Sequence, residues 1–418
     1  MHNKLITAAT ILLMYVFCPF QLLSQDGIKI YTDPENAPGI KASKFIDSID
    51  FIPLETTKES KYDNYYWFIV GKNHFAMMDN ANNAVFIFDK QGHFVYKFKN
   101  EKSRFKINSL QYVPSENAIL IISYNKNYTI SNSKKQQLVK RWEGKDISKY
   151  VSVEWVYLNK EITRKKVFAP SYVLNNNITY FDSGFIYRNY SYDKYDKDSV
   201  AYRLVQYGPD YKVKHKYFPF LNLPKLWSSY ADYVLALPVC STPNENTMLF
   251  QLDFSPILYE LKPDTLVERY RFVFPMANVM PSDFSSLRFN NNIDFEKYKE
   301  KNNKAISYFR DMIEHGKYLI FGTATPAYSF KRFLLMDNMV YSLDKLTSDS
   351  SICNLPPNLF NSISRQDKDY VYTITDAETI LQQKTNLLAD PHVSPAFKAH
   401  LNKMTKNDNH IIIRVKLK

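Results

Sequence analysis

The side chains able to do chemistry are spread thinly along this 418-residue sequence. Its eight histidines are dispersed, and none is paired at the spacing that metal sites use. His74 and His215 therefore read as surface or structural residues. There is no His-Glu-x-x-His, Cys-x-x-Cys or Gly-x-Ser-x-Gly, and nine glycines leave little room for a phosphate-cradling loop or a dinucleotide fingerprint. The acidic cluster Asp193, Asp196 and Asp198 carries enough charge to touch calcium. It lacks the glycine and distal glutamate of a calcium loop and interleaves Lys194 and Lys197, so it reads as a solvated loop. Tyr65, Tyr66, Trp67, Trp142, Trp155 and Trp227 have faces suited to sugar rings. Between packed sheets the same residues serve as core, and that is the preferred reading. Paired carboxylates for glycoside hydrolysis are defined by a separation in space and cannot be picked from spacing. No catalytic residue and no metal ligand is assigned, no cofactor is expected, and the ligand-binding residues stay unknown.

Elements must position whatever site exists, and the first of them concerns the address of the chain. Residues 1–25 carry one early cation, Lys4, then an apolar run over residues 5–17 that ends before Pro19, Gln21 and Ser24. The run is short for a bilayer span and reads as a signal peptide, with cleavage between Gln25 and Asp26. Lipidation at Cys18 is the rival reading; Val16 and Phe17 before it are bulky for that processing. No later stretch is apolar for long enough to be a membrane helix, so the mature chain is expected to be exported, periplasmic or associated with the outer membrane. Removing residues 1–25 lowers the net charge of +12 only by Lys4. The remaining Lys and Arg are scattered, with no block beyond Lys134-Lys135 or Arg164-Lys165-Lys166, which fits a mildly basic surface better than a nucleic-acid footprint. Cys240 and Cys353 remain after cleavage; they could pair, or stand as separate buried thiols.

The residue mix points to β structure, with 32 Tyr, 29 Phe and only nine Gly. Strand-like runs recur in pairs, each pair closed by a turn cluster. Residues 84–89 (Ala-Val-Phe-Ile-Phe-Asp) and 93–98 flank Lys90-Gln91-Gly92, where Gly92 can take the positive φ of a tight turn. Further hairpins are expected from 109–113 with 118–123, 202–207 with 212–218, 257–261 with 267–272, and 333–337 with 339–343. Hairpin after hairpin with no βαβ alternation excludes a parallel α/β sheet. The absence of Gly/Ser- or Pro-rich linkers favours one radial repeat over residues 26–418, although periodicity does not set the number of blades. Three helical insertions are expected: 294–315, with Ile306, Phe309 and Ile313 on one side; 376–388, opened by a capping box at Thr375-Asp-Ala-Glu378; and 395–404, with Ser394 as cap before Pro395. They read as insertions packed on the rim of the ring.

Ordered segments then resemble a known family. Residues 50–56 (Asp-Phe-Ile-Pro-Leu-Glu-Thr), Met77-Met78-Asp79, and residues 85–94 ending Asp-Lys-Gln-Gly-His-Phe resemble the opening of exported six-bladed β-propellers of Bacteroidetes, NHL-like and largely uncharacterised. Residues 216–220, 255–261 and 270–272 resemble later blade segments, and residues 407–418 resemble the closing strand with its final Lys-Leu-Lys. The resemblance implies an all-β fold: a six-bladed β-propeller with a few inserted helices. In one place the chain departs from the family. Where such proteins carry a glycine-rich loop, residues 99–106 read Lys-Asn-Glu-Lys-Ser-Arg-Phe-Lys, so a conformation needing glycine is not carried over. Asp47-Ser48-Ile49, Asp198-Ser199-Val200 and Asp264-Thr265-Leu266 resemble the short O-glycosylation acceptor pattern of that phylum, at a frequency close to chance.

Two functions follow as expectations. The first is an exported, monomeric, non-catalytic binding or scaffolding propeller for a glycan, a peptide or an envelope protein. The second is a polysaccharide-acting hydrolase or lyase with its site at the propeller axis. Fold analogy supports both; the missing motifs favour the first, more likely no enzyme than one.

Overall fold

The computed structural model describes residues 27–63, 65–99, 104–127, 148–159, 161–167, 178–188, 202–210, 212–219, 240–241, 246–252, 254–285, 287, 292–327, 329–353 and 363–418. The N-terminal segment with Cys18, Gln25 and Asp26, the acidic cluster Asp193/Asp196/Asp198, and Trp142 and Trp227 lie outside them.

Two strands precede the first blade, β1 (Ile28–Tyr31) and β2 (Ile46–Pro53). Blade I is β3 (Tyr65–Val70), β4 (His74–Asp79), β5 (Ala84–Asp89) and β6 (Phe94–Lys99). Blade II is β7 (Phe105–Val113), β8 (Ala118–Asn125), β9 (Val151–Leu158) and β10 (Ile162–Val167). Blade III is β11 (Ile178–Phe181), β12 (Gly184–Arg188), β13 (Tyr202–Tyr207) and β14 (Val213–Pro219). Blade IV is β15 (Cys240–Ser241), β16 (Met248–Gln251), β17 (Ile257–Leu261) and β18 (Leu266–Val273), with β1 added in parallel outside β18. Blade V is β19 (Tyr308–His315), β20 (Tyr318–Ala324), β21 (Phe330–Met336) and β22 (Met339–Ser342). Blade VI joins β23 (Arg365–Gln366), β24 (Val371–Thr375) and β25 (Ile411–Leu417) to the early β2, which supplies its outer strand. The fold is thus a six-bladed β-propeller, closed by pairing an N-terminal strand with the C-terminal one. Contacts of β3 with β7 and β23, of β7 with β11, and of β19 with β15 and β23 place the first strand of each blade innermost.

The core has no single centre. Six apolar clusters lie between neighbouring blades, one at each boundary around the ring. Strand β5 shows why its sequence is continuously apolar. Ala84, Phe86 and Phe88 enter the cluster shared with blade VI, while Val85 and Ile87 enter the one shared with blade II. Both faces of a blade are covered, so the alternation of a one-sided strand disappears. The five expected hairpins all form. At the first, Gly92 adopts φ +93°, and a Cβ there would sit 2.3 Å from the Pro53 carbonyl oxygen. Glycine serves both the turn and the close approach of β2.

The expected 294–315 helix is corrected. Only α1 (Asn292–Lys301) is helical, and residues 308–315 are the inner strand of blade V. That strand is bulged between Arg310 and Ile313, with Asp311 at φ +49°. The extra residues shift the strand's alternation, so buried Phe309 and Ile313 fall at a helical spacing. The segment 376–388 forms two short helices, α2 (Ala377–Gln382) and α3 (Lys384–Ala389). Their cap is Asp376, whose Oδ1 accepts from Thr379 N at 2.7 Å, and not Thr375, which ends β24. As expected, Ser394 caps α4 (Pro395–Lys403) with proline at its first position. Phe397 of α4 stacks on Phe51 of β2 at 4.5 Å, so this helix packs on the outer strand of blade VI. Among the described residues no helix is long and apolar enough to cross a membrane.

Antiparallel blades sort their connections by end. The first and third connection of each blade fall at one end of the ring, and the second connection and the link to the next blade fall at the other. At the first end the turns that are described in full are short, four residues at most, as at 90–93 and 262–265. Among the described residues, the second end carries 274–285, 292–307, 343–353 and 376–410. Among the described residues, the longer connections lie on one face.

Candidate functional site

Ring closure brings distant parts of the sequence together on that long-connection face, at the seam between blades VI and I. Tyr65 starts the inner strand β3, Asp376 follows the end of β24, His410 precedes β25, and Arg365 starts β23. By strand direction all four lie at the same end of their blades. The Asn409 side chain fixes the backbone beside His410. Its Nδ2 donates to Glu55 O (2.7 Å) and Ser60 O (3.0 Å), and its Oδ1 accepts from Tyr62 N (3.3 Å). Leu54 N also donates to His410 O at 3.2 Å. Asn83 repeats the device at the next boundary, donating to Phe105 O (2.9 Å) and accepting from Ile107 N (2.8 Å).

The His410 imidazole lies parallel to the Tyr62 ring, with centroids 5.4 Å apart and planes 14° apart, and meets Tyr65 edge-on at 4.8 Å. Tyr62 is buried, whereas Tyr65 and His410 are half-buried. The His410 ring nitrogens form no hydrogen bond with any described residue. Burial pushes the His410 pKa below its ordinary value, with Asp376 opposing, so the ring is neutral at pH 7. Burial raises the Tyr65 hydroxyl; Arg365 opposes this and Asp376 adds to it. Burial pushes the Asp376 carboxyl upward, yet the bonds from Thr379 N and Oγ1, with His410 nearby, hold it below the usual carboxylate value. The site therefore offers a neutral imidazole, a protonated phenol and a carboxylate. Such a set can donate and accept hydrogen bonds, or move a proton.

Two guanidinium groups lock the neighbouring backbone. Arg332 Nη2 of blade V donates to Ile363 O at 2.6 Å. Arg365 Nη1 donates to Ser364 O at 2.7 Å, and its Nε to Phe68 O of blade I at 2.8 Å. Ile363 O at the entry of blade VI is thereby tied to blade V, and the Arg365 side chain ties the same entry to blade I.

The residues singled out from the sequence are mostly placed elsewhere. His74 starts β4 at the short-turn end, with Nδ1 buried and without a hydrogen-bond partner; burial lowers its pKa. His215 lies 3.6 Å from Asp264, also at the short-turn end. Trp155 is core between blades II and III, edge-on to Tyr180 at 5.0 Å. Cys353 is a free, buried thiol, its pKa pushed up to about 12 by burial. No three His, Cys, Asp or Glu among the described residues could together hold a metal ion. Tyr65 belonged to the candidate aromatics, but His410 and Asp376 carried no signal. They are the first and last residues of one connection, 376–410, and only the closing strand brings them to Tyr65.

A family model described as a 6-bladed beta-propeller matches residues 24–103. No curated protein matches the chain in sequence. Among solved structures, a candidate exported protein of Bacteroides fragilis superposes with a TM-score of 0.59 at 13% identity, covering 93% of this chain and 99% of its own. A DUF4221-family member from Bacteroides vulgatus gives a TM-score of 0.41 at 8% identity, over 89% of this chain and 97% of its own. The first likeness supports the propeller fold.

Proposed function

We propose that residues 26–418 form one exported, monomeric propeller domain that binds or scaffolds a partner, a glycan, a peptide or an envelope protein, through its long-connection face. The observation that carries this reading is the gathering of the longer connections, among the described residues, at one end, over a polar cluster at the seam. Loops on a rigid scaffold are where binding residues concentrate. The apolar N-terminal run supports export with cleavage between Gln25 and Asp26. The candidate exported protein that shares the fold is in keeping with that address. The test is a binding screen of the mature protein against glycans and cell-envelope extracts, with hydrogen exchange on each complex. Protection is expected within residues 376–410 and at the start of β3. Protection confined to the short turns, such as residues 114–117 or 316–317, would overturn it.

The hydrolase or lyase reading draws on one observation, the His410 imidazole set edge-on to Tyr65 and within the field of Asp376, since such an imidazole can accept a proton. Turnover of a bound polysaccharide, abolished by His410→Gln, would favour it over plain binding.

A further inference from the structure

We propose, resting on the binding reading above, that His410, Tyr65 and Asp376 form the subsite for one hydroxyl-rich residue of a neutral glycan. A sugar hydroxyl both donates and accepts, and so does this set. The imidazole supplies one N–H and one bare nitrogen, the phenol an O–H, and the carboxylate only acceptors. Thr379 N and Oγ1 and the Asp376 backbone N–H donate to the Asp376 carboxylate, which leaves it one further acceptor position for a ligand. Half-buried Tyr65 and His410, set edge to face, add aromatic surface suited to the C–H face of a pyranose. The charge around the site is mixed: Asp376 and Arg365 act on Tyr65 in opposite senses. Neither an anion nor a cation meets a field of one sign there, whereas an uncharged polyol meets no repulsion. The imidazole is already fixed by Tyr62 and by the Asn409 clamp, so little ordering is needed when a ligand arrives.

The test uses the mature protein with ¹⁵N-labelled histidine. Its probes are neutral cello-, manno-, xylo- and galacto-oligosaccharides, an oligogalacturonate as acidic probe and a chitosan oligomer as cationic probe. The expected result is that a neutral probe shifts the His410 ring resonances. Tyr65→Phe, which keeps the ring and removes only the hydroxyl, should then weaken that probe about five- to tenfold with unchanged thermal stability. Neutral probes that bind while His410 and the Tyr65→Phe affinity stay unmoved overturn the subsite. If only a charged probe shifts His410, the neutral-glycan class fails but the binding face stands. If every interaction found protects the short turns instead, the underlying reading fails as well.

Discussion

Lys90 and Asp367 are joined by a 2.8 Å ion pair that ties the β5–β6 turn of blade I to the β23–β24 turn of blade VI. Their side chains are only 16% and 22% exposed, and Tyr372 donates to the same carboxylate oxygen at 2.5 Å. Lys90 Nζ also lies over the Phe75 and Tyr372 rings, 4.6 and 4.8 Å from their centroids. This pair fastens the short-turn end of the seam whose opposite end carries the candidate site.

Asp367→Ala should therefore lower stability by about 3 kcal/mol, because it leaves a poorly solvated ammonium without its carboxylate. The partners' pKa shifts point in different senses. Burial lowers Lys90, which disfavours its charged form, while Asp367 is held low by Lys90 and Tyr372 against its own burial. Lys90→Met should accordingly cost less than Asp367→Ala. Urea unfolding of the two variants and their double mutant measures the coupling; equal losses would contradict the argument.

Asn409→Ala should cost about 3 kcal/mol, since it strips hydrogen bonds from Glu55, Ser60 and Tyr62 at a buried position. Asn83→Ala should cost a similar amount at the boundary of blades I and II. Only the Asn409 variant should also move the His410 resonance. Calorimetry and NMR on the pair check both statements.

Gly92→Ala should destabilise by about 2 kcal/mol or more. The residue would have to hold φ +93° with its Cβ against Pro53 O, and β2 would have to shift. A thermal midpoint unchanged within error would count against the close packing of that turn.

His410 should make stability depend on pH. Its folded pKa is lowered, so at mildly acid pH the unfolded chain binds the proton more readily. The contribution is complete above about pH 6.5, the ordinary histidine value, and is lost as pH falls through the folded pKa. Tyr62 and Tyr65 face the ring, and Asp376 acts on it through its charge; the two phenols stay protonated throughout this window. His410→Gln should reduce the slope of stability against pH between about 6.5 and 5. Chemical unfolding of the variant and the parent at several pH values shows whether it does.

Much of the blade structure was legible in the sequence. The turn at Asp89-Lys-Gln-Gly92, the Ser394-Pro395 helix start and the five hairpins are local features, in which neighbouring residues decide the backbone. The order of family-like segments then supplied the blade number that hairpin spacing left open. The 294–315 segment misled because a bulge at Asp311 gave a strand the apolar spacing of a helix. Only the bulge's hydrogen-bond register, a tertiary property, distinguishes the two.

The sequence by itself determined an all-β chain of antiparallel hairpins, rich in aromatics, without a local motif for metal, nucleotide or nucleophile chemistry. Tertiary structure alone decided where polar groups gather. Asp376 and His410 are 34 positions apart, and Tyr65 is more than 300 positions from either. They meet because β2 and β25 pair across the chain's two ends and draw blade VI against blade I. A site made by ring closure is encoded in long-range pairing, which leaves no spacing to read along the chain.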